Sequence, residues 1–369
     1  MPVEFLGMGA TNDGTETHPR SGPAFDPEYT VALARAHEET GWDRVLTAYG
    51  SGSPDPAQGA ALVACRTERL QVLVAHRPNV SYPTFAAKTI ATLDVISGGR
   101  TTVHVITGGN DHEQQREGDI LPKDRRYDRT REAIQIFKKA WTSREPFDFD
   151  GEHYRFSDFV LDVEPVQKPR PRISFGGSSP AAYKVGAEEA DIYALWGEPL
   201  AGTADQIRTI TELAAAAGRP APTFQVAFRP ILGRTEEEAW EKAYDTVARI
   251  RARTEGGQQL TRRHKLTDPE NAGSQRLLSV AERGERHDRA LWTVTAQATG
   301  GAGNSTALVG TPETVAAALM DYYDLGVRIL SARGYDLLED AREFGREVIP
   351  LVRAEVARRD AEQRASIPA

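Results

Sequence analysis

Short apolar runs that alternate with helix-like segments are the feature that most limits how this chain can fold. Each run has the length of a buried strand, and a segment of helical character separates most neighbouring runs. Parallel strands need such long connections, whereas antiparallel neighbours can be joined by short turns. The pattern therefore predicts a parallel sheet. The eight predicted strands are Val3–Met8, Arg44–Tyr49, Leu70–His76, Thr102–Thr107, Arg172–Gly176, Ile192–Trp196, Phe224–Leu232 and Val327–Arg333.

Eight strand–helix units favour an α/β fold of the closed (β/α)₈ TIM-barrel type over a doubly wound open sheet. The open sheet is disfavoured because no GxGxxG follows the first run. A barrel takes about 250 residues, which leaves roughly 120 of the 369 to be placed elsewhere. We expect one domain over residues 1–369, with insertions at about 108–171 and 236–309, after strands four and seven.

The second insertion contains a charged stretch that is rich in Gly, Gln and Arg and poor in large apolar side chains. Such a segment buries little surface, so we expect a mobile lid that proteases cut first within Thr254–Arg289. A solvent-exposed helical insertion without a functional role explains the same pattern equally well.

Composition excludes several classes of protein. Lys and Arg number 45 against 53 Asp and Glu, a net charge of −8 that disfavours nucleic-acid binding. The single cysteine, Cys65, excludes an internal disulfide and a cysteine-based metal site. No apolar run approaches the roughly 20 residues that span a bilayer, and the first residues do not resemble a signal peptide. These features predict a cytoplasmic protein without a membrane partner.

The clearest local signal for a binding site is ISFGGSSPAA, residues 173–182. Gly177 breaks a strand, and Ser178, Ser179 and Pro180 then begin a helix, as expected for an N-cap followed by proline. Free N–H groups at such a helix end bind anions, and adjacent glycines let a ligand approach the backbone. An ordinary capped helix accounts for the pattern about as well.

In a TIM barrel the active site lies at the carboxyl ends of the strands. Thr107 ends the VHVIT strand, although threonine at a strand end often only bonds the backbone. Tyr127 begins a helix among arginines, a pattern also typical of a solvated face. His76 and Trp196 end two further strands, where structural roles are common for both types. The strand ends show no HxH pair or other metal-ligand spacing, so no metal site is expected.

Several blocks, read in order, resemble the bacterial luciferase-like flavin-dependent monooxygenases, and within them the alkanesulfonate monooxygenases. The resemblance covers nearly the whole chain, and its principal blocks are LVAHRPNVSYPTFAAKTIATLDVISGGR, VHVITGG, DRRYDRTREAIQIF, RPRISFGGSSPAA, YALWGEP, GGAGNSTALVGTPETVAAAL and RGYDLLEDAREFGREVIPLVR. It implies a TIM barrel that uses reduced FMN supplied by a separate NAD(P)H:FMN reductase. It also implies that oxygen forms a peroxyflavin, which cleaves the C–S bond of a sulfonate to give an aldehyde and sulfite.

The resemblance assigns flavin-binding roles to residues of this chain. Ser178 and Ser179, with Tyr127 beside them, stand where the family binds the FMN phosphate. Ala75, His76 and Thr107 correspond to positions that line the isoalloxazine ring in the family, and Trp196 corresponds to a residue of the flavin-pocket wall.

The substrate half departs from the family's pattern. Tyr335 is retained in the final-strand motif. After the second strand, where the family has a cysteine, this chain has Ser51 or Ser53, and on the seventh strand Ala227 and Arg229 replace an arginine and a histidine. Thr299 stands in place of an arginine before GGAG, and Leu337 stands in place of a histidine in the final-strand motif.

Positive charge is nevertheless kept at two strand ends, by Arg229 and Arg333, whose planar guanidiniums suit a sulfonate or another oxyanion. His18 and His76 are the candidate general bases. We therefore expect an FMNH₂- and O₂-dependent monooxygenase of a small organic anion, forming a homodimer or homotetramer. The alternatives are a family member with another small substrate, an F420-dependent oxidoreductase of the same superfamily, and a flavin-binding protein without turnover.

Overall fold

The structure is a computed structural model that describes residues 3–255 and 269–365. The elements in chain order are β1 (Glu4–Met8), α1 (Pro27–Glu39), β2 (Arg44–Thr47), α2 (Pro56–Arg66), β3 (Gln71–His76), α3 (Pro83–Ser97), β4 (Thr101–Val105), α4 (Asp111–Gln115), α5 (Lys123–Thr142), β5 (Phe147–Asp150), β6 (Arg155–Phe159), β7 (Arg172–Gly176), α6 (Pro180–Glu189), β8 (Ile192–Trp196), α7 (Leu200–Ala216), β9 (Thr223–Leu232), α8 (Glu236–Glu255), α9 (Ala272–Arg283), β10 (Arg286–His287), β11 (Leu291–Trp292), α10 (Val294–Ala298), β12 (Ala307–Gly310), α11 (Pro312–Asp324), β13 (Val327–Ala332), α12 (Leu337–Glu347) and α13 (Ile349–Ala365).

Eight parallel strands close into a barrel in the order β1–β2–β3–β4–β7–β8–β9–β13, and β13 returns to β1. The closing register pairs Glu4 with Ile329, while β1 pairs on its other side with β2. Helices surround the strands. Each of the eight sequence-predicted runs overlaps one barrel strand, so the predicted (β/α)₈ barrel is confirmed.

Strand alternation divides the apolar side chains between two cores. In β3, Val72 and Val74 pack in the main cluster with the surrounding helices, whereas Leu73 belongs to a small inner cluster. The other buried members of that inner cluster are Leu6, Ile192 and Ile329, from three further barrel strands. These branched side chains fill the barrel, as in other closed barrels, so that ligands are restricted to its mouth.

Four helices share one kind of beginning, a polar cap residue followed by proline. The pairs are Asp26–Pro27, Asp55–Pro56, Ser179–Pro180 and Thr311–Pro312, and every cap side chain accepts a backbone N–H of the first turn. A side-chain cap stabilises a helix by about 1 kcal/mol, and proline at the first position has its φ already set. This local chemistry fixes where these helices begin.

Both insertions carry structure of their own. The first adds the antiparallel β5–β6 hairpin, in which four phenylalanines pack against one another. In the second, β12 extends the sheet beside the end of β9, and α8 packs against Trp292. Thr254–Arg289, the part of the predicted lid region that proteases are expected to cut first, lies partly outside the described residues. Its described part includes α9, which buries Leu277 and Val280 despite the polar composition. No helix within the described residues is long and apolar enough to cross a bilayer.

Candidate active site

The larger of two adjoining cavities lies at the carboxyl ends of β4, β7 and β8 and has a volume of about 340 Å³. Residues of α4, α5 and the start of α9 complete its wall. Six residues singled out from the sequence line this cavity, namely Thr107, Tyr127, Gly177, Ser178, Ser179 and Trp196. The structure thus brings together most of the residues predicted to bind a cofactor.

One end of the cavity lies at the amino end of α6. Ser179 caps α6, its side chain accepting the N–H of Ala182 at 3.2 Å. The hydroxyl of Tyr127 lies within hydrogen-bonding reach of Ser179. A Cβ at Gly177, whose φ is +146°, would lie 2.7 Å from the Cβ of Ala182, so this turn requires glycine. Ser178 and Ser179 thus line the cavity at the amino end of a helix, a position that suits a phosphate.

Thr107 and Trp196 form walls closer to the barrel. The Thr107 hydroxyl donates to Thr130 Oγ1 at 3.1 Å, and Thr130 in turn donates to the carbonyl of Arg126 at 2.7 Å. The ring of Trp196 packs against Gly273 so closely that a Cβ there would lie 2.6 Å from it. A hydrogen bond thus positions Thr107, and packing against Gly273 positions Trp196.

The smaller cavity, of about 100 Å³, lies over the barrel mouth and shares His104, Ala194 and Trp196 with the larger one. Its remaining wall includes Met8 at the end of β1 and Arg333 just after β13. The two cavities therefore meet at Trp196, between the serines and the mouth of the barrel.

His104, which sequence reasoning missed, stands at this junction. Its Nδ1 is hydrogen bonded to Ser174 Oγ at 2.9 Å, and burial lowers its pKa to about 4. The imidazole is consequently neutral near pH 7. The signal was present in VHVIT, because the flanking Val103 and Val105 face the helices and strand alternation then turns His104 inward.

Glu16 is a second residue that the sequence did not indicate. Its carboxylate accepts from both terminal nitrogens of Arg229, at 2.8 and 3.2 Å, and lies 3.5 Å from Arg333. Burial opposes ionisation of Glu16, yet the two guanidiniums hold its pKa well below the usual range. The Arg229 guanidinium also stacks on the Tyr335 ring, 4.1 Å from its centroid.

This arrangement changes the expected role of the arginines. Arg229 is only 3% exposed, is neutralised by Glu16 and lines neither cavity, whereas Arg333 reaches the barrel mouth. One carboxylate between two guanidiniums leaves the trio with a net charge of +1. Of the two arginines predicted from the sequence to clamp an anion, Arg333 lines a cavity, whereas Arg229 is held in a buried ion pair with Glu16.

The remaining predicted residues lie away from the two adjoining cavities. His76 is on the helix-facing side of β3, its ring 5.7 Å from that of Phe137, and burial lowers its pKa to about 4. Ala75 is buried and lines neither cavity. His18 bonds Thr15 through Nδ1 and, with Tyr335, lines a separate 240 Å³ pocket beside α8 and α12. Neither predicted base thus faces the barrel mouth.

No group of His, Cys, Asp or Glu in the described part of the chain has the arrangement of a metal site.

A family model for luciferase-like monooxygenases matches residues 5–328. The chain belongs to this family. The match confirms the resemblance inferred from the sequence at the level of the luciferase-like monooxygenases.

Solved structures share the fold across almost the whole chain. A riboflavin lyase, solved with a modified FMN and riboflavin, is 21% identical, with a TM-score of 0.78 over 96% of this chain and 92% of that one. The EDTA monooxygenase of Chelativorans sp. BNC1 is 18% identical, with a TM-score of 0.77 over 96% and 94%. An F420-dependent secondary alcohol dehydrogenase, solved with an F420–acetone adduct, is 17% identical, with a TM-score of 0.69 over 95% and 99%.

Proposed function

We propose that this protein is a monooxygenase that uses reduced FMN and O₂, with the FMN phosphate at the serine-capped start of α6. The observation that carries the proposal is that the cavity lined by Ser178 and Ser179 adjoins the cavity at the barrel mouth, the two sharing His104, Ala194 and Trp196 as wall residues. The family match and the FMN in related structures support the same cofactor.

The residues present fit this cofactor. Gly177 opens the cradle in which Ser178 and Ser179 would hold the phosphate, and Tyr127 adds a hydroxyl at its side. Thr107 and Trp196 would border the ring system on its way to the barrel mouth. When bound, reduced FMN supplies the two electrons that allow O₂ to be used as the oxidant.

His104 is the protein group best placed to exchange a proton at the mouth. Its Nδ1 is engaged by Ser174, which leaves Nε2 for a ligand, and a neutral imidazole can donate or accept there. We assign it this role in place of His18 and His76, which do not face the mouth.

For the substrate we propose an organosulfonate, cleaved by O₂ and FMNH₂ to an aldehyde, sulfite, water and FMN. The net charge of +1 on the Glu16 trio favours an anionic head group, and Arg333 is its member on the cavity wall. Glu16, Arg229 and Tyr335 would act by holding Arg333 in place. Another small substrate remains the alternative within the same reaction type.

The proposal includes a separate NAD(P)H:FMN reductase as the source of reduced flavin, and a homodimer or homotetramer as the working form. The test compares sulfite release from a panel of sulfonates with either photoreduced FMN or a reductase, FMN and NADH, in the presence of oxygen. Sulfite release that requires FMN and O₂ supports the proposal, and Ser178→Ala/Ser179→Ala should need a higher FMN concentration to reach the same rate. The organosulfonate is ruled out if only neutral compounds are oxidised.

An F420 enzyme would behave differently in the same experiment. It would bind F420 in preference to FMN and transfer hydride without consuming oxygen. Binding of both cofactors, followed by fluorescence quenching, and an oxygen electrode therefore separate the two members of the superfamily.

A further inference from the structure

Gln114 in α4 is a buried amide without a partner. Its residue is fully buried, and neither Nε2 nor Oε1 finds a hydrogen-bond partner among the residues that the structure describes. Its backbone is satisfied, because its N–H donates to Asn110 and its carbonyl accepts from Glu117 and Asp119. Buried polar groups in native proteins are almost always hydrogen bonded, so the side chain calls for a partner that the described residues do not supply.

The position of this amide indicates where that partner lies. Gln114 lines the larger cavity together with Gly108. A Cβ on Gly108 would lie 1.8 Å from Gln114 Nε2 and 3.0 Å from Oε1, so the amide lies directly against the glycine. Gly108 has a φ of +89°, which also favours glycine. Glycine at position 108 thus leaves room for the amide, which places a donor and an acceptor directly against the Gly108 part of the cavity wall.

A primary amide presents an N–H donor and a C=O acceptor side by side. Its natural complement is a ring edge on which N–H and C=O are also neighbours. The pyrimidine ring of a flavin has such an edge, since N3–H stands between two carbonyls. The serine cradle would hold the phosphate elsewhere in the same cavity, which leaves the ring system for the remaining wall.

We infer that Gln114 recognises the N3–H and adjacent carbonyl edge of the flavin ring and so selects the ring, independently of the phosphate. This inference rests on the proposed flavin site. It assigns Gln114 a binding role, and Gly108 the role of letting the Gln114 amide pack against the cavity wall.

The experiment measures anaerobic binding of FMN and of N3-methyl-FMN to the whole protein by fluorescence or absorbance titration. Gln114→Met should weaken FMN binding about ten-fold, the scale of one or two lost hydrogen bonds. N3-methyl-FMN should bind the wild type about ten-fold more weakly than FMN does, yet should lose nothing further in Gln114→Met. Gln115→Met, at the exposed neighbour on the same helix, is the matched control and should behave as the wild type.

A second readout needs no ligand. If the amide has its partner only in the flavin, Gln114→Met leaves the unfolding midpoint of the flavin-free protein unchanged or higher, because an unpaired buried amide is removed. A fall in that midpoint would assign Gln114 a structural role and overturn the inference. Equal FMN affinity in wild type and Gln114→Met, or equal losses with both flavins, would overturn it as well.

The outcomes also separate this inference from the proposed function. A wild type that binds neither FMN nor riboflavin would refute the flavin site itself. Normal binding of both, with Gln114→Met affecting only the KM of the organic substrate, would refute the ring contact alone.

Discussion

Replacing Glu16 by glutamine should destabilise the protein strongly while leaving its shape almost unchanged. The carboxylate is 12% exposed and its principal partner, Arg229, is 3% exposed, so the pair is shielded from water. Charges about 4 Å apart attract by about 4 kcal/mol at an effective dielectric constant of about 20. Removing one partner also leaves the Arg229 guanidinium buried near that of Arg333 without a counter-charge.

The amide oxygen that replaces the carboxylate in Glu16→Gln can still accept one hydrogen bond, which offsets part of this loss. We therefore expect this variant to lower the free energy of unfolding at pH 7 by about 2–4 kcal/mol. Arg229→Met should cost less, because it removes the buried charge and Glu16 keeps Arg333 at 3.5 Å. The double variant Glu16→Gln/Arg229→Met should lose less free energy of unfolding than the two single variants lose together, since it leaves no unpaired charge at position 229.

The assay is denaturant unfolding of the four proteins of this cycle, followed by circular dichroism and tryptophan fluorescence. A coupling of at least about 1 kcal/mol is expected for residues in direct contact. Additive losses, within about 0.5 kcal/mol, would show that the ion pair does not act as described.

The pH dependence of the same cycle provides a further check. The folded-state pKa of Glu16 lies below its ordinary value of 4.5, so ionised Glu16 stabilises the fold above that value. The advantage of wild type over Glu16→Gln should be complete above about pH 5.5 and should shrink as the pH falls through 4.5. An advantage that grows on acidification would contradict the assigned pKa shift.

Three other predictions concern ligands. Ser178→Ala/Ser179→Ala should weaken FMN binding by about 1–3 kcal/mol and riboflavin binding hardly at all, as titration of both would show; equal losses would place the phosphate elsewhere. Arg333→Met should lower kcat/KM for an anionic substrate by a factor that corresponds to about 2–4 kcal/mol, and by more than Arg229→Met does. Equal effects of the two variants in steady-state assays would indicate that both arginines hold the substrate. Limited proteolysis should cut first within Thr254–Arg289 and be slowed by FMN with substrate; a first cut elsewhere, or no protection, would remove the predicted lid.

Local patterns explain why the barrel and the anion end of the site could be predicted. Strand alternation and chain connectivity operate over short stretches of chain, and the Ser179–Pro180 cap operates within the first turn of its helix. The strand faces were harder to assign. His76 and His104 both lie near strand ends, but His76 faces the helices beside Phe137 and His104 faces the barrel interior. A shift of one residue along a strand is enough to exchange these two faces.

Contacts between distant loops could not be predicted in this way. Glu16 lies in a loop without hydrophobic periodicity, and its partner Arg229 is 213 residues away. No spacing rule connects the two residues, so nothing in the sequence indicated that Arg229 is paired with a carboxylate. The orphan amide of Gln114 is similarly invisible, because a sequence does not show which buried groups lack partners.

The register that closes the barrel has a consequence for how the protein is made. Glu4 pairs with Ile329, so β1 has no neighbour on one side until the ribosome has produced almost the entire chain. The first half of β9 likewise waits for β13, from Phe224 to Phe228. Until then two strand edges are open to pairing with other nascent chains. A chain that stops after α11 would retain the serine cradle and yet expose both edges, and it should aggregate or require a chaperone where the 369-residue chain does not.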